Sequence, residues 1–213
     1  MKLYSYFRSS AAYRVRIALN LKQIAYDIEP VNLVNGDQRG EAYAEINPQG
    51  LIPSLQTDDG RTISQSLAIC EWLEANYPSP ALIPADPYEA ARVRACVLLI
   101  ACDIHPLNNL RILGYLENDL GVTPEQKNDW YQHWVEEGFA ALEKTIAGTP
   151  YCFGSQATLA DAFLIPQVFN ARRFNVDMNP YPKIAAVAMA CNERQAFIDA
   201  HPDQQADNPN RLP

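Results

Sequence analysis

The sequence predicts two domains, a small mixed α/β domain followed by an all-helical one. Strand-like and helix-like hydrophobic patterns alternate over the first eighty residues, whereas the pattern after a proline-rich segment is helical throughout. The length of 213 residues, with 48% hydrophobic residues, suffices for one large or two small hydrophobic cores. We expect the first domain at 1–79, a linker at 80–86 and the helical domain at 87–213.

The first domain contains short elements that alternate in type. The hydrophobic pattern predicts, in order, a strand at 3–7, a helix at 9–21, strands at 26–33, 51–55 and 62–64, and a helix that ends before Tyr77. The turn Asp58-Asp59-Gly60 joins the last two strands into a hairpin. This order is typical of a small mixed α/β domain.

The segment Pro78–Pro87 carries four prolines and predicts a semi-rigid connector, because proline is not tolerated inside helices. The helical patterns that follow lie at 88–120, at 124–147, from 158 onward, and at 184–200. Thr158-Leu159-Ala160-Asp161 has the form of a capping box, for which we predict a role in folding. The polar tail at 202–213 is expected to be mobile or to lie along the surface.

Charge and cysteine content exclude several classes of function. The formal net charge of −8 argues against nonspecific binding to nucleic acid or to an anionic membrane surface. No apolar run approaches the roughly 18 residues of a membrane span. The five cysteines form neither a CxxC pair nor a zinc-type cluster with histidine. We therefore expect a cytoplasmic protein with reduced thiols, no metal and no disulfides.

Several motifs resemble those of the zeta class of cytosolic glutathione transferases, which includes maleylacetoacetate and maleylpyruvate isomerases. They lie at 7–19, 47–48, 52–53, 65–69, 102–109, 166–168 and 171–174, in the order of that class. The resemblance implies a thioredoxin-like first domain with the order β-α-β-α-β-β-α and an all-α C-terminal domain that contributes to the substrate site. It also implies glutathione as the cofactor, a small anionic substrate and a homodimer.

One position departs from the class. Zeta-class enzymes commonly carry cysteine where this chain has Ala11. Dithiol–disulfide exchange on a thioredoxin-like fold needs a CxxC motif at this place, and the chain has none. Any thiol chemistry must therefore take its sulfur from glutathione.

Ser9 follows a strand and precedes a helix, a position that by itself favours a simple helix N-cap. The resemblance implies instead that its hydroxyl donates a hydrogen bond to the glutathione thiolate, with Ser10 and the following amides around the sulfur. A thiol with a pKa of about 8.5 is only a few per cent ionised at neutral pH. A charge-assisted hydrogen bond and a helix N-terminus both favour the anion.

Other residues are assigned to glutathione by the resemblance. Pro53 is expected in the cis form, which leaves the backbone of Ile52 to pair with the cysteinyl part of the tripeptide. Gln65 and Ser66 are expected to hold the γ-glutamyl carboxylate at the start of a helix, where Ser66 by position alone is a cap. Gln38, in the loop after the second strand, is a candidate for the glycyl end.

His105 and Asn109 are four residues apart, which places them on one face if the helix is continuous. A histidine on an apolar helix is usually a core residue, but Pro106 predicts a kink that directs His105 into an interdomain cleft. The resemblance places His105 and Asn109 beside glutathione. Arg111 is either a solvated surface charge or a substrate ligand in the same cleft.

Two further arginines are candidates for the substrate. Arg8 is expected at the end of a strand beside the sulfur, where a buried charge would need a partner. Arg173 matches the substrate-binding arginine of the class, and a guanidinium suits a carboxylate because it binds both oxygens. Ordinary ion pairing is the alternative for both residues.

These residues together predict a glutathione-dependent cis–trans isomerase of a maleyl-keto acid, in aromatic amino-acid or aromatic-compound catabolism. Ser9, Arg8 and Arg173 are the expected catalytic residues. One alternative is a general glutathione transferase or haloacid dehalogenase, which needs the same thiolate and arginines. The other is a non-catalytic binding protein that has kept the fold.

Overall fold

The computed structural model describes residues 1–211, which divide into two compact units. Unit 1 comprises Met1–Leu82 and the described chain from Asn192 onward, and unit 2 comprises Ile83–Cys191. The first division lies within the proline-rich linker at 80–86. The helical domain expected at 87–213 ends earlier in the structure, because the chain from Asn192 onward packs with unit 1.

Unit 1 contains a four-stranded mixed sheet, with strands β1 Lys2–Ser5, β2 Asp27–Pro30, β3 Ser54–Gln56 and β4 Thr62–Ser64. The strand order is β2-β1-β3-β4. β2 is parallel to β1, whereas β3 is antiparallel to both β1 and β4. This is the mixed α/β domain that the order of elements predicted, in the thioredoxin-like arrangement that the resemblance implied.

The strand directions bring four connections to one edge of this sheet. Tyr4 lies opposite Ser54, and Ser54 lies opposite Ser64. β1, β2 and β4 therefore end at the edge where β3 begins, and we call this edge the site edge. Most of the candidate residues of unit 1 belong to segments that adjoin it.

The helices are α1 Ser10–Leu21, α2 Glu41–Ala44, α3 Ser66–Asn76, α4 Pro87–Leu98, α5 Leu110–Asn118, α6 Pro124–Thr145, α7 Leu159–Arg173, α8 Pro182–Asn192 and α9 Gln195–Ala200. In unit 1, α1 packs against α3 and α9. The single helix expected at 184–200 is thus two helices, of which only α9 belongs to unit 1.

The polar tail is packed into unit 1 as far as it is described. Pro202, Gln205 and Asn208 are all buried. The side-chain amide of Gln205 donates hydrogen bonds to the carbonyls of Asp199 and His201, at 2.8 and 2.9 Å. The expectation of a mobile or superficial segment is wrong for these residues, because they are buried and the side-chain amides of Gln205 and Asn208 donate hydrogen bonds to nearby backbone carbonyls. Residues 212 and 213 lie outside the described chain.

The first long helical run of unit 2 is interrupted. After α4 the backbone forms a π-helix at Leu99–Ile104 and then a 3₁₀-helix at Pro106–Asn108. Gly138 of α6 allows close packing here, because a Cβ at this position would lie 2.2 Å from Cδ1 of Ile104. The widened turn and the proline together replace the continuous helix expected at 88–120.

The start of α7 has the capping box that the sequence predicted. The carboxylate of Asp161, fully buried, accepts hydrogen bonds from the amides of Cys152 and Thr158, both at 2.8 Å. Burial raises the pKa of this carboxyl group, while the two amides act in the opposite direction. α7 is buried along most of its length and forms the centre of unit 2.

Candidate active site

Ser9 caps α1 and still has a proton to donate. Its Oγ accepts a hydrogen bond from the amide of Ala12 at 3.2 Å, and its side chain is half-buried. A hydroxyl has one donor and two acceptor sites, so capping uses only an acceptor. The two interpretations of Ser9 from sequence are therefore compatible. Ser10, the first residue of α1, is buried beside it.

Arg8 is exposed on the loop between β1 and α1, so the expectation of a buried charge at a strand end is wrong. Its Nη2 lies 3.4 Å from the hydroxyl of Tyr6, and its guanidinium carbon lies 5.2 Å from the ring centroid of Phe7. Within residues 1–211 no carboxylate forms an ion pair with Arg8. The guanidinium is thus supported by aromatic rings and accessible to an anion.

Ile52 and Pro53 precede β3 at the site edge, and the bond between them is cis, as predicted. The hydroxyl of Tyr43 and the side-chain amide of Asn47 both donate to the carbonyl of Leu51, at 2.9 and 2.6 Å. The backbone amide and carbonyl of Ile52 have no hydrogen bond within the described chain. Ile52 therefore presents an unpaired peptide group to an extended ligand.

Gln65 and Ser66 form the start of α3. The N-cap is Gln65, with φ 72° and ψ 120°, and no side chain caps this helix. The side-chain amide of Gln65 donates a hydrogen bond to Oε1 of Gln49 at 2.9 Å. A positive φ is uncommon for a residue other than glycine and often marks a functional site. Without a side-chain cap, the first-turn amides of α3 are suited to an anion.

Arg14 contacts the N-terminus of α3, and the sequence did not identify it as a candidate site residue. It is buried on α1, and its Nη1 donates to Oγ of Ser66 at 3.2 Å. A guanidinium in this position adds positive charge at the end of α3 that already favours anions. The only signal in the sequence was an arginine amid the apolar residues of α1, a pattern that usually indicates a solvent-facing side.

Gln38 lies in a 3₁₀-helix at Asp37–Arg39, after β2. Its Oε1 is buried and has no hydrogen-bond partner within the described chain. Gly50 packs directly against it, because a Cβ on Gly50 would lie 3.0 Å from the carbonyl oxygen of Gln38. Gln38 therefore retains polar capacity for a ligand.

In unit 2, His105 follows the π-helix, and its amide donates to the carbonyl of Ile100 at 2.9 Å. Asn109 is the N-cap of α5, and its Oδ1 accepts from the amide of Arg111 at 3.0 Å. The expectation of one continuous helical face is wrong, because a 3₁₀-turn separates His105 from Asn109. Arg111 is exposed in the first turn of α5.

Arg173 is the last residue of α7 and is exposed. Its Nη1 lies 3.5 Å from Oδ1 of Asn170, and its guanidinium carbon lies 5.8 and 5.6 Å from the ring centroids of Phe169 and Phe174. Phe174 stacks in turn on Tyr131 at 3.6 Å. Burial raises the pKa of Tyr131, and the charge of Arg173 opposes that shift.

Tyr131 also connects this arginine to the segment of His105 and Asn109. The side-chain amide of Asn108 donates to the carbonyl of Tyr131 at 3.2 Å. The buried Tyr131 thus contacts both Phe174, which follows Arg173, and Asn108, which precedes the N-cap Asn109 of α5. Neither Tyr131 nor Asn108 was assigned a role from the sequence.

Among residues 1–211, no group of three or more histidine, cysteine, aspartate or glutamate side chains is arranged to hold a metal ion. None of the helices in this part of the chain is both long enough and apolar enough to cross a membrane. The candidate residues described above offer hydroxyl, amide and guanidinium groups.

Two family profiles match the chain. The N-terminal domain of glutathione S-transferase matches residues 8–76, and the C-terminal domain of glutathione S-transferase matches residues 126–188. Among curated proteins, the chain is 46% identical to maleylacetoacetate isomerase of Pseudomonas aeruginosa, over 98% of this chain and 99% of the relative.

Solved structures give the same result. A holo structure of a maleylpyruvate isomerase, described as a bacterial zeta-class glutathione S-transferase, has a TM-score of 0.94 at 46% identity and covers 97% of this chain and 99% of that chain. A maleylacetoacetate isomerase of Anaeromyxobacter dehalogenans has a TM-score of 0.87 at 38% identity, with 100% and 96% covered. That structure contains bound dicarboxyethyl glutathione and citrate.

Proposed function

Since this chain belongs to the glutathione S-transferase family, in its zeta class, we propose that it is a glutathione-dependent isomerase that converts a maleyl-keto acid to its fumaryl isomer. The observation that carries the proposal is 46% identity to a maleylacetoacetate isomerase over 98% of the chain. Maleylacetoacetate is the first candidate substrate and maleylpyruvate the second.

The residues at the site edge of unit 1 fit glutathione. The unpaired peptide group of Ile52, next to the cis bond to Pro53, suits the peptide backbone of the cysteinyl residue. The uncapped start of α3, at Gln65 and Ser66, suits the γ-glutamyl carboxylate. The buried amide of Gln38 is assigned to the glycyl end.

Ser9 is assigned to the sulfur, with Ser10 beside it. The hydroxyl of Ser9 donates its proton toward the thiolate while its lone pair continues to cap α1. The N-terminus of α1 adds a further preference for the anion. Ala11 removes no group that this role requires. In unit 2, His105 and Asn109 are assigned to glutathione as well.

When bound, glutathione supplies a thiolate that adds to the cis double bond, allows rotation about the resulting single bond, and is expelled unchanged. The chain's own part is to bind and orient the substrate and to favour developing negative charge. Arg8 and Arg173 are assigned to the carboxylate and keto ends, and Arg111 is assigned as a further substrate ligand. Guanidinium groups offset enolate charge because they are preorganised cations with paired donors.

A ligand of one relative supports this assignment. The dicarboxyethyl group of this ligand carries two carboxylates on a two-carbon unit. Addition of a thiol across the double bond of a four-carbon cis diacid gives such a group, with the sulfur bonded to one of the two carbon atoms. The ligand, dicarboxyethyl glutathione, was bound to a maleylacetoacetate isomerase 38% identical to this chain. Two exposed arginines in an otherwise acidic chain suit a ligand of this type.

Product analysis by proton NMR tests the proposal. The protein is incubated with maleylpyruvate or maleylacetoacetate, with and without glutathione, and a Ser9→Gly variant serves as a catalytic control. We expect the fumaryl product only when glutathione is present, with glutathione recovered in full. Conversion at equal rates without glutathione, or none with either substrate, contradicts the isomerase assignment.

The same preparation separates the two alternatives from the proposal. A haloacid dehalogenase releases chloride from a small chlorinated carboxylic acid faster than it isomerises either maleyl-keto acid. A non-catalytic binding protein binds glutathione in a calorimeter but turns over neither substrate. Isomerisation that is faster than chloride release supports the isomerase assignment.

We also propose that the protein is a cytoplasmic homodimer. α4 leaves Tyr88 and Leu98 exposed, at 72% and 43%, and α3 has a half-buried Trp72 beside Tyr77. Apolar side chains of this size on a helix suit a symmetric contact with a second copy. All five cysteines are free thiols, which suits a reducing compartment. Light scattering that finds only a 23.8 kDa species contradicts the dimer.

A further inference from the structure

Arg16 is a fully buried cation whose hydrogen-bond acceptors within residues 1–211 are all uncharged. Its Nε donates to the carbonyl of Ala200 at 3.0 Å. Its Nη1 donates to Oγ of Ser5 at 3.0 Å and to the carbonyl of Tyr6 at 3.5 Å. Its Nη2 donates to the carbonyl of Phe7 at 3.0 Å. One guanidinium thus joins the end of β1 and the loop after it to the end of α9.

The C-terminal segment contributes a second contact to the same loop. Oδ2 of Asp207 accepts a hydrogen bond from the amide of Phe7 at 2.8 Å. The carbonyl of Phe7 is bound by Arg16, so both polar backbone groups of this residue are held from outside the loop. Burial lowers the pKa of Arg16 to about 10, with Asp207 opposing the shift, so the guanidinium is charged at neutral pH.

Phe7 directly precedes the two residues assigned to chemistry, Arg8 and Ser9. The amide of Ser9 donates to the carbonyl of Tyr6 at 2.9 Å, which is also an acceptor for Arg16. The direction of the Ser9 hydroxyl and the place of the Arg8 side chain are therefore set by a backbone whose hydrogen bonds run to Arg16 and Asp207.

We propose that Arg16 and Asp207 are positioning residues for Ser9 and Arg8, and that the segment 195–208 is in this way part of the catalytic apparatus. This inference rests on the proposed function, because it assigns Ser9 to the glutathione sulfur. Neither residue touches substrate or cofactor in this assignment. Both act on the loop that carries the reacting groups.

Asp207 offers the cleaner test, because it is only half-buried and its replacement leaves the buried guanidinium in place. Asp207→Ala removes the acceptor for the amide of Phe7, whereas Asp207→Asn keeps an acceptor oxygen. Asp203→Ala is the matched control, because it removes an equal charge from an exposed position in the same segment. Arg16→Lys, with Asn20→Ala as its control for the contact between α1 and α9, is a second pair.

The readout is the pKa of the bound glutathione thiol, followed by the ultraviolet absorbance of the thiolate, together with kcat and KM. In Asp207→Ala we expect that pKa to rise by about half a unit to one unit and kcat to fall about three- to tenfold, with KM for glutathione within about twofold. Asp207→Asn and Asp203→Ala should remain within about twofold of the unchanged protein. Arg16→Lys should shift the thiol pKa in the same direction, and Asn20→Ala should not.

The outcomes separate this inference from the proposed function. A normal thiolate signal in the unchanged protein with the same pKa in Asp207→Ala and Arg16→Lys overturns the positioning role alone. A fall in melting temperature with unchanged thiol pKa shows that the contacts serve only stability, which also overturns it. Absence of any thiolate signal in the unchanged protein overturns the sulfur assignment and this inference together.

Discussion

Unit 1 and unit 2 offer ligand-binding groups of different kinds. At the site edge of unit 1, most of the groups belong to the backbone or to the first residue of a helix, as with Ile52 and Ser66, and buried side chains such as Arg14 support them. In unit 2 the substrate candidates are the side chains of Arg111 and Arg173, which are both exposed on helices.

The two kinds of group suit two kinds of ligand, the glutathione cofactor and the substrate. A peptide cofactor is bound by peptide groups and helix termini, whose position depends on the fold more than on any one side chain. A substrate held by exposed guanidinium groups depends on the few side chains that contact it. Substitutions in unit 2 should therefore alter substrate use more selectively than substitutions in unit 1.

The largest effects, equal in expected size, come from the arginines and from Ser9. Arg173→Ala removes a paired donor to a carboxylate, and kcat/KM for the maleyl-keto acid should fall about ten- to hundredfold, or about 1.4–2.8 kcal/mol. Glutathione affinity, measured by calorimetry, should stay within about twofold. Arg173→Lys should recover only part of the loss, because lysine lacks the planar pair of donors.

Arg8→Ala should show the same separation, although Arg8 belongs to unit 1. Equal loss of glutathione affinity in Arg8→Ala and Arg173→Ala would mean that both arginines serve the tripeptide or the fold. In that case the contrast between the two units does not correspond to separate binding of glutathione and of the substrate.

Ser9→Gly is expected to lower turnover about ten- to hundredfold, or about 1.4–2.8 kcal/mol of barrier, because it removes the donor to the thiolate. Glycine is a tolerated N-cap, so helix α1 should lose only a few tenths of a kcal/mol, whereas Ser9→Ala removes the cap as well. Stopped-flow kinetics and thermal melting measure the two effects separately. Full turnover in Ser9→Gly would refute the sulfur assignment.

Gly138→Ala tests whether close packing between α6 and Ile104 stabilises the part of unit 2 that carries His105. The added Cβ meets the side chain of Ile104, which is fully buried and adjacent to His105, and should destabilise the protein by about 1–3 kcal/mol. Gly114→Ala is the control, since its nearest atom would lie 3.8 Å away on helix α5 and alanine favours helix. Denaturant unfolding should show a loss for Gly138→Ala and no loss for Gly114→Ala.

Ser66→Ala should have the smallest effect, a weakening of glutathione binding of about 1 kcal/mol, or about fivefold. The backbone amides of α3 remain after the substitution, and these are the groups assigned to the carboxylate. Ser64→Ala, two residues earlier on β4, is a matched control. A loss of more than about a hundredfold would show that the side chain of Ser66, rather than the helix terminus, carries the binding.

The sequence predicted the four-stranded sheet, the change to helices and the position of most candidate residues, because these depend on local hydrophobic period and on short motifs. It failed where distant segments meet. No role was predicted for Arg14 or Arg16. Each of them donates a hydrogen bond to a residue far away along the chain, Arg14 to Ser66 and Arg16 to Ala200.

The π-helix and the division at Asn192 were missed for similar reasons. The turn at Leu99–Ile104 has a helical pattern in sequence, and its widening accompanies the contact between Gly138 and Ile104. The pattern from Ile184 to Ala200 reads as one helix, although its two parts belong to different units. The local hydrophobic period predicts that a segment is helical, but it does not predict against which core its side chains pack.

The return of the chain to unit 1 has a consequence during biosynthesis. A ribosome delivers residues in order, so β1, α1 and the loop that carries Ser9 emerge well before α9 and Asp207. Until that last segment arrives, Arg16 lacks the carbonyl of Ala200 and Phe7 lacks its carboxylate partner. Unit 2 is contiguous and has no such dependence. Synthesis of the second unit is therefore complete before that of the first, and the first becomes competent only after the segment from Asn192 onward has been made.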